Sequence, residues 1–147
     1  VKILGDGPDR QHLEELARQE NAPVEFLGYQ DHGSMAAWLR ASDITVNSLV
    51  KSAVQSIVTK IGDYLASGKP MINTGSSPEF RNKVTTDGFG LNVEAENPEA
   101  LADVLEELAR TPSLRKIMGA RGRAVAEREF DQRTSYLAIV NLLRNLI

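Results

Sequence analysis

The sequence predicts an α/β fold: a parallel sheet with helices on both faces. Three observations predict it. Short apolar runs alternate with segments of helical periodicity, in the order β-α-β-α-β-α-β-α-β, before a closing run of helices. Strands separated by helix-length connections pair in parallel through right-handed crossovers. Turn-forming clusters containing Gly, Pro or Asn mark the changes of period.

The elements follow in chain order. "VKIL" reads as the first strand, and Gly5-Asp6-Gly7 as a tight turn. Pro8 suits the first position of a helix, where its missing N–H costs nothing. Leu13, Leu16 and Ala17 carry that helix to about Arg18, and Asn21-Ala22-Pro23 breaks it. "VEFLGY" is the second strand. "HGSMAAWLRAS" is a helix with Met35, Trp38 and Leu39 on one side. "DITVNSLV" is a third strand ending near Asn47. A helix is expected from about Gln55 to Ser67, then a fourth strand in "PMINT". Ser77, Pro78 and Glu79 read as N-cap, N1 proline and first-turn acid of a short helix through Val84. "GFGLNVEA" is the fifth strand. Asn97 caps a helix with Leu101, Val104, Leu105 and Leu108 as its stripe. Another helical segment spans about Ser113 to Glu129, softened by Gly119 and Gly122. A last helix within 131–147 places Tyr136, Ile139, Val140, Leu143, Leu146 and Ile147 on one stripe.

Composition narrows the functions. The chain has 147 residues, 41% hydrophobic and 25% charged, as expected for one globular domain. A net charge of -3 and no basic run argue against nucleic acid as a partner. Cysteine is absent, which excludes disulfides and thiolate metal sites. His12 and His32 stand alone, so no metal site is expected. No run nears the ~20 apolar residues that span a bilayer. No repeat or Ser-His-Asp set stands out. The chain enters a strand at Val1, so the expectation is a piece of a longer protein.

In such a sheet, ligands bind beyond the carboxyl ends of the strands. That edge comprises Gly5–Pro8, Gly28–His32, Asn47–Gln55, Thr74–Ser77 and the loop after Val93. Gly5 and Gly7 allow a ligand to approach the backbone. A dinucleotide fingerprint would need a third glycine, and Arg10 stands there. A plain strand-to-helix turn explains the pattern equally well. On the Gln55–Ser67 helix, Ile57, Val58, Ile61, Tyr64 and Leu65 fill an inward arc at about 100° per residue. Ser56, Lys60, Asp63 and Ser67 fall opposite, with Lys60 and Asp63 within mutual reach. This edge is either a solvated face with a surface ion pair or a ligand edge.

"VKILGDGPDRQHLEELA", "VEFLGY", "DYLASGKPMIN" and the stretch from "GFGLNVEAENPEALADVLEELAR" onward resemble, in order and spacing, the C-terminal half of the large retaining glycosyltransferase family with the GT-B fold. The wording "VTKIGDYLASGKP" is similar to a branch associated with capsule and lipopolysaccharide synthesis. The resemblance implies a Rossmann-like domain, 1–147, that binds a nucleotide-sugar donor with no cofactor, a UDP-sugar being expected. It implies a glycan or lipid-linked acceptor, and a partner domain preceding this one against which the last helix packs. Cytoplasmic location follows, with a peripheral place at the membrane face compatible.

The family's paired glutamates fall on Gln55 and Asp63. By resemblance, Asp63 receives the ribose hydroxyls and Gln55 lies near the donor sugar. Gly5, Asp6 and Gly7 line the cleft, Gly28 and Tyr29 hold the base, and the Ser52–Ser56 amides meet the diphosphate. Lys60 faces the diphosphate or braces Asp63. The alternatives are a sugar-nucleotide epimerase of the same double fold, or a non-catalytic or NAD-binding module.

Overall fold

The structure, a computed structural model, describes residues 1–53 and 58–144. The chain divides into two compact units, Val1–Trp38 and Leu39–Ile147.

In the first unit, β1 (Lys2–Leu4) pairs in parallel with β2 (Glu25–Gly28). The pairing shifts register between Ile3 and Leu4, and the Gly5 N–H then donates to the Gly28 carbonyl at 2.8 Å. Both glycines have positive φ, 119° and 66°, which a residue with a Cβ rarely adopts. α1 (Arg10–Gln19) starts two residues later than Pro8 suggested. The Gly7 carbonyl accepts from Arg10 N–H, so Pro8 and Asp9 form a turn leading into the helix. α2 (His32–Ala41) has a cap that the sequence reading did not use: Asp31 accepts from the Ser34 N–H at 3.0 Å and the Ser34 hydroxyl at 2.8 Å. Those bonds hold the Asp31 carboxyl below its usual range. Lys2 ion-pairs with Glu25 and lies over the Trp38 ring at 5.3 Å.

In the second unit, β3 (Thr45–Asn47), β4 (Met71–Asn73) and β5 (Gly90–Asn92) form a parallel sheet in chain order. Thr45 pairs with Met71 and Met71 with Gly90, and the register holds to Asn47, Asn73 and Asn92. Alternation along β4 gives the sheet two apolar faces. Met71 packs with Ile61, Leu65, Phe80, Phe89 and Val125. Ile72 packs with Val93, Leu108 and Met118, bordered by Val104 and Leu105. Residues of α3 (Ile61–Ala66), α4 (Pro78–Asp87) and the end of α6 (Pro112–Val125) therefore cover one face. Residues of α5 (Pro98–Arg110) and mid-α6 cover the other.

Two caps are as the sequence suggested. Ser77 accepts from the Phe80 N–H and Asn97 from the Ala100 N–H, each followed by an N1 proline. Three features differ. α3 begins at Ile61, after a turn at Thr59 and Lys60, while Val54–Ile57 lie outside the described residues. Val58 and Thr59, just ahead of α3, are β-branched, and such residues lose side-chain freedom in a helix. Gly119 does not soften α6: a Cβ there would lie 2.0 Å from the Gly68 carbonyl, so it is where α6 meets the turn after α3. Finally, α6 passes into a π-helical turn, Ala126–Phe130, before α7 (Gln132–Arg144). Tyr136, Ile139, Val140 and Leu143 on α7 are exposed, and Leu146 and Ile147 lie outside the described residues.

Candidate functional site

In the first unit, the turn after β1 meets the end of β2. Asp6 Oδ1 accepts from the Gly7 N–H at 2.9 Å, and Asp6 Oδ2 lies 3.4 Å from the Arg10 guanidinium. Arg10 also donates to Glu14 at 2.7 Å, and its Nη1 is 3.1 Å from where a Gly28 Cβ would be. Asp6 and Gly28 thus lie beside one guanidinium, while a Cβ at Gly5 or Gly7 would meet nothing within 4 Å. Sequence reasoning had counted Arg10 only as a missing glycine. Tyr29 is 84% exposed, with its ring available for stacking.

In the second unit, side chains tie the loops beyond the three strands. Thr74 Oγ1 accepts from the Leu49 N–H at 2.7 Å and donates to the Leu49 carbonyl at 2.8 Å. Ser76 donates to the Ala53 carbonyl, and Glu96 accepts from the Lys51 N–H at 3.1 Å. Arg81 donates to the Val93 carbonyl at 3.0 Å and pairs with Glu94 at 2.6 Å. Ser52 is exposed in a turn of this edge. Gln55 and Ser56 lie outside the described residues.

Beneath these loops runs a ladder of asparagines that sequence reasoning missed. Asn47 Nδ2 donates to Asn73 Oδ1, and Asn73 Nδ2 to Asn92 Oδ1, each at 2.9 Å. Asn92 Nδ2 donates to the Arg81 carbonyl at 2.9 Å, and the Gly75 N–H donates to Asn73 Oδ1 at 3.1 Å. Asn47 is 1% exposed, and its Oδ1 is buried with no hydrogen-bond partner among the described residues. An unpaired buried acceptor costs about 1–3 kcal/mol. The signal lay in the text: "TVN", "MIN" and "GLN" each end a strand on asparagine.

Asp63 is half-buried in a cleft of ≈ 440 Å³ shared with Gly62, Arg123, Glu127 and Phe130. Arg123 Nη1 donates to the Ala66 carbonyl at 2.8 Å, and its Nε to Glu127 at 2.7 Å. The Phe130 ring occupies the space beside Gly62, so α3 receives a side chain from the π-helical turn at that glycine. The expected pairing of Lys60 with Asp63 is not among the described ion pairs. Lys60 instead lies over the Tyr64 ring at 5.8 Å, and burial lowers its ammonium pKa. Burial, then the Asp63 charge, raises that of Tyr64. No cluster of metal-ligating residues occurs among the described residues, nor a helix long and apolar enough to cross a membrane.

Residues 1–111 match the family model described as glycosyl transferases group 1. A GDP-mannose-dependent monoacylated alpha-(1-6)-phosphatidylinositol monomannoside mannosyltransferase from Corynebacterium glutamicum is 30% identical, over 97% of this chain and 38% of its own length. The lipopolysaccharide core biosynthesis glycosyltransferase LpsE of Rhizobium meliloti is also 30% identical, over 96% of this chain and 40% of its own. Among solved structures, sucrose-phosphate synthase from Thermosynechococcus elongatus superposes with a TM-score of 0.81 at 23% identity, over 99% of this chain and 38% of that one. HepE from Anabaena, in complex with UDP-glucose, gives 0.79 at 18% identity, over 98% and 40%. The chain therefore spans well under half the length of the relatives it matches, and its fold is that of these solved structures. With its parallel α/β architecture and a family match across most of its residues, the chain belongs to the group 1 glycosyl transferases.

Proposed function

We propose that the chain binds the nucleotide-sugar donor of a retaining glycosyltransferase, which passes the sugar to a glycan or lipid-linked acceptor. The observation that carries this reading is Asp63: a half-buried carboxylate on the wall of a ≈ 440 Å³ cleft, just ahead of the "ASGKP" turn. A carboxylate accepts two hydrogen bonds at once and suits the adjacent hydroxyls of a ribose. Lys60, three residues before Asp63, offers positive charge to a diphosphate leaving group, which needs stabilisation as the bond to the sugar breaks. By the family resemblance, Gly5, Asp6, Gly7, Gly28 and Tyr29 of the first unit and, separately, Ser52 of the second are donor-binding candidates, while Gln55 and Ser56 lie outside the described residues. No cofactor is required. The two curated relatives bear names that involve lipid-linked glycans, which supports a lipid-linked acceptor and a place at the cytoplasmic membrane face. A preceding domain of the same protein supplies the acceptor side and covers α7, so this chain alone lacks turnover.

The test is an NMR titration of the chain with UDP, UDP-glucose and GDP-mannose. Saturable shifts at Gly5, Ser52 and Asp63 are expected with the UDP ligands. The same shifts with GDP-mannose alone would reassign the base. Still spectra at millimolar ligand would remove the donor-site reading.

A further inference from the structure

We infer that Asn47 Oδ1 is a specificity point of the donor site, where it accepts a hydrogen bond from a sugar hydroxyl. The inference rests on the donor-binding reading and extends it to three residues that reading does not contain.

The orientation of the ladder is fixed from unambiguous groups. The Arg81 carbonyl can only accept, so the nitrogen of Asn92 faces it and the oxygen of Asn92 faces Asn73. The Gly75 N–H can only donate, so the oxygen of Asn73 faces it and also takes the Asn47 nitrogen. Every amide is thereby aligned the same way, and the group left without a partner among the described residues, at the end of the chain of bonds, is an acceptor, Asn47 Oδ1. A flipped Asn47 amide would set two oxygens face to face.

The position is the carboxyl end of three parallel strands in register, where open α/β sheets bind their ligands. A diphosphate at neutral pH brings only acceptors and cannot satisfy this oxygen. A sugar hydroxyl brings a donor. The ladder carries no charge, so it selects for a hydroxyl without attracting a metal or a second phosphate. Gly75 and Leu49 border the ladder: a Cβ on Gly75 would lie 3.0 Å from Asn73 Oδ1, 3.2 Å from Leu49 Cδ1 and 3.8 Å from Asn47 Nδ2. The Leu49 backbone is held at both its N–H and its carbonyl by Thr74 Oγ1. Admission of the hydroxyl requires the Leu49 side chain to move aside, while the ladder holds the Asn47 amide in place.

The experiment follows the side-chain amide signals of Asn47, Asn73 and Asn92 in ¹⁵N spectra of the chain. UDP-glucose and UDP are added, with inorganic pyrophosphate as an acceptor-only control. The Asn47 amide is expected to shift saturably with UDP-glucose and to stay still with pyrophosphate. A shift with UDP as well assigns the hydroxyl to the ribose; a shift with UDP-glucose alone assigns it to the hexose. Asn47→Leu should weaken UDP-glucose binding about fivefold to tenfold, the range for one hydrogen bond, and leave pyrophosphate unaffected. If that variant does not fold, the wild-type shift decides. Shifts at Lys60 and Asp63 with a still Asn47 amide overturn the inference and leave the donor reading standing. So does a water cross-peak at the Asn47 amide that persists with ligand. If no signal moves with any nucleotide, the donor reading itself fails and takes this inference with it.

Discussion

The two units of the chain use similar local signals to different ends. The second unit packs α3, α4, α5 and α6 onto a three-stranded sheet and buries Leu65, Met71, Phe89 and Leu108 completely. The first, of Val1–Trp38, has two strands and two helices and no fully buried side chain. Its helix α1 is amphipathic, yet Leu13 and Leu16 remain 41% and 44% exposed. The difference teaches that helical periodicity records which face is apolar, not whether anything covers it. A pair of strands and a helix rarely enclose a core, whereas three strands covered on both faces do.

Core substitutions break this contrast most directly. Leu65→Ala should cost about 2–5 kcal/mol in chemical denaturation, and Leu16→Ala well under half of that. Equal losses would erase the distinction between the units. The ladder comes next. Asn73→Ala strands the Gly75 N–H, Asn47 Nδ2 and Asn92 Oδ1, and should cost about 2–4 kcal/mol by the same assay. The caps sharpen the comparison at about 1 kcal/mol each for Ser77→Ala and Asn97→Ala, read from the thermal midpoint.

Smaller still is an effect of pH. Lys83 bonds to Glu129 and, with Arg128, holds its carboxyl below the usual value, linking α4 to the π-helical turn. A carboxyl depressed by folding stabilises above its unfolded pKa and loses that contribution as pH falls through the folded value. Stability should therefore fall below about pH 4.5, and Glu129→Gln should flatten the slope by less than about 1 kcal/mol. The smallest effect belongs to the first unit. Removing the exposed Arg18–Glu15 pair should change stability by no more than about 0.5 kcal/mol.

Local chemistry made much of the fold legible. Apolar runs bounded by turns located all five strands, and Ser77-Pro78 and Asn97-Pro98 marked helix starts because capping acts within a few residues. What stayed hidden depends on contacts between distant residues. The strand-end asparagines are 26 and 19 positions apart, and only strand register turns them into a hydrogen-bonded ladder. The π-helical turn at Ala126–Phe130 has no composition of its own; it shows through Phe130, which fills the space beside Gly62. Of the candidate site, the glycine turn was readable at a strand end and Asp63 on the outward edge of the expected Gln55–Ser67 helix. Arg10 was not, since its place over Gly28 arises from the crossover that brings β2 beside β1.

The donor-site account turns on the carboxylate of Asp63. Calorimetric titration of UDP-glucose into the chain and into its Asp63→Ala variant isolates that group, because the substitution removes a half-buried side chain at a cleft wall and not a core contact. The account predicts saturable binding to the wild type, weakened about tenfold to a hundredfold in the variant, as expected for losing two hydrogen bonds to a charged acceptor. Equal affinity in the two proteins would contradict it.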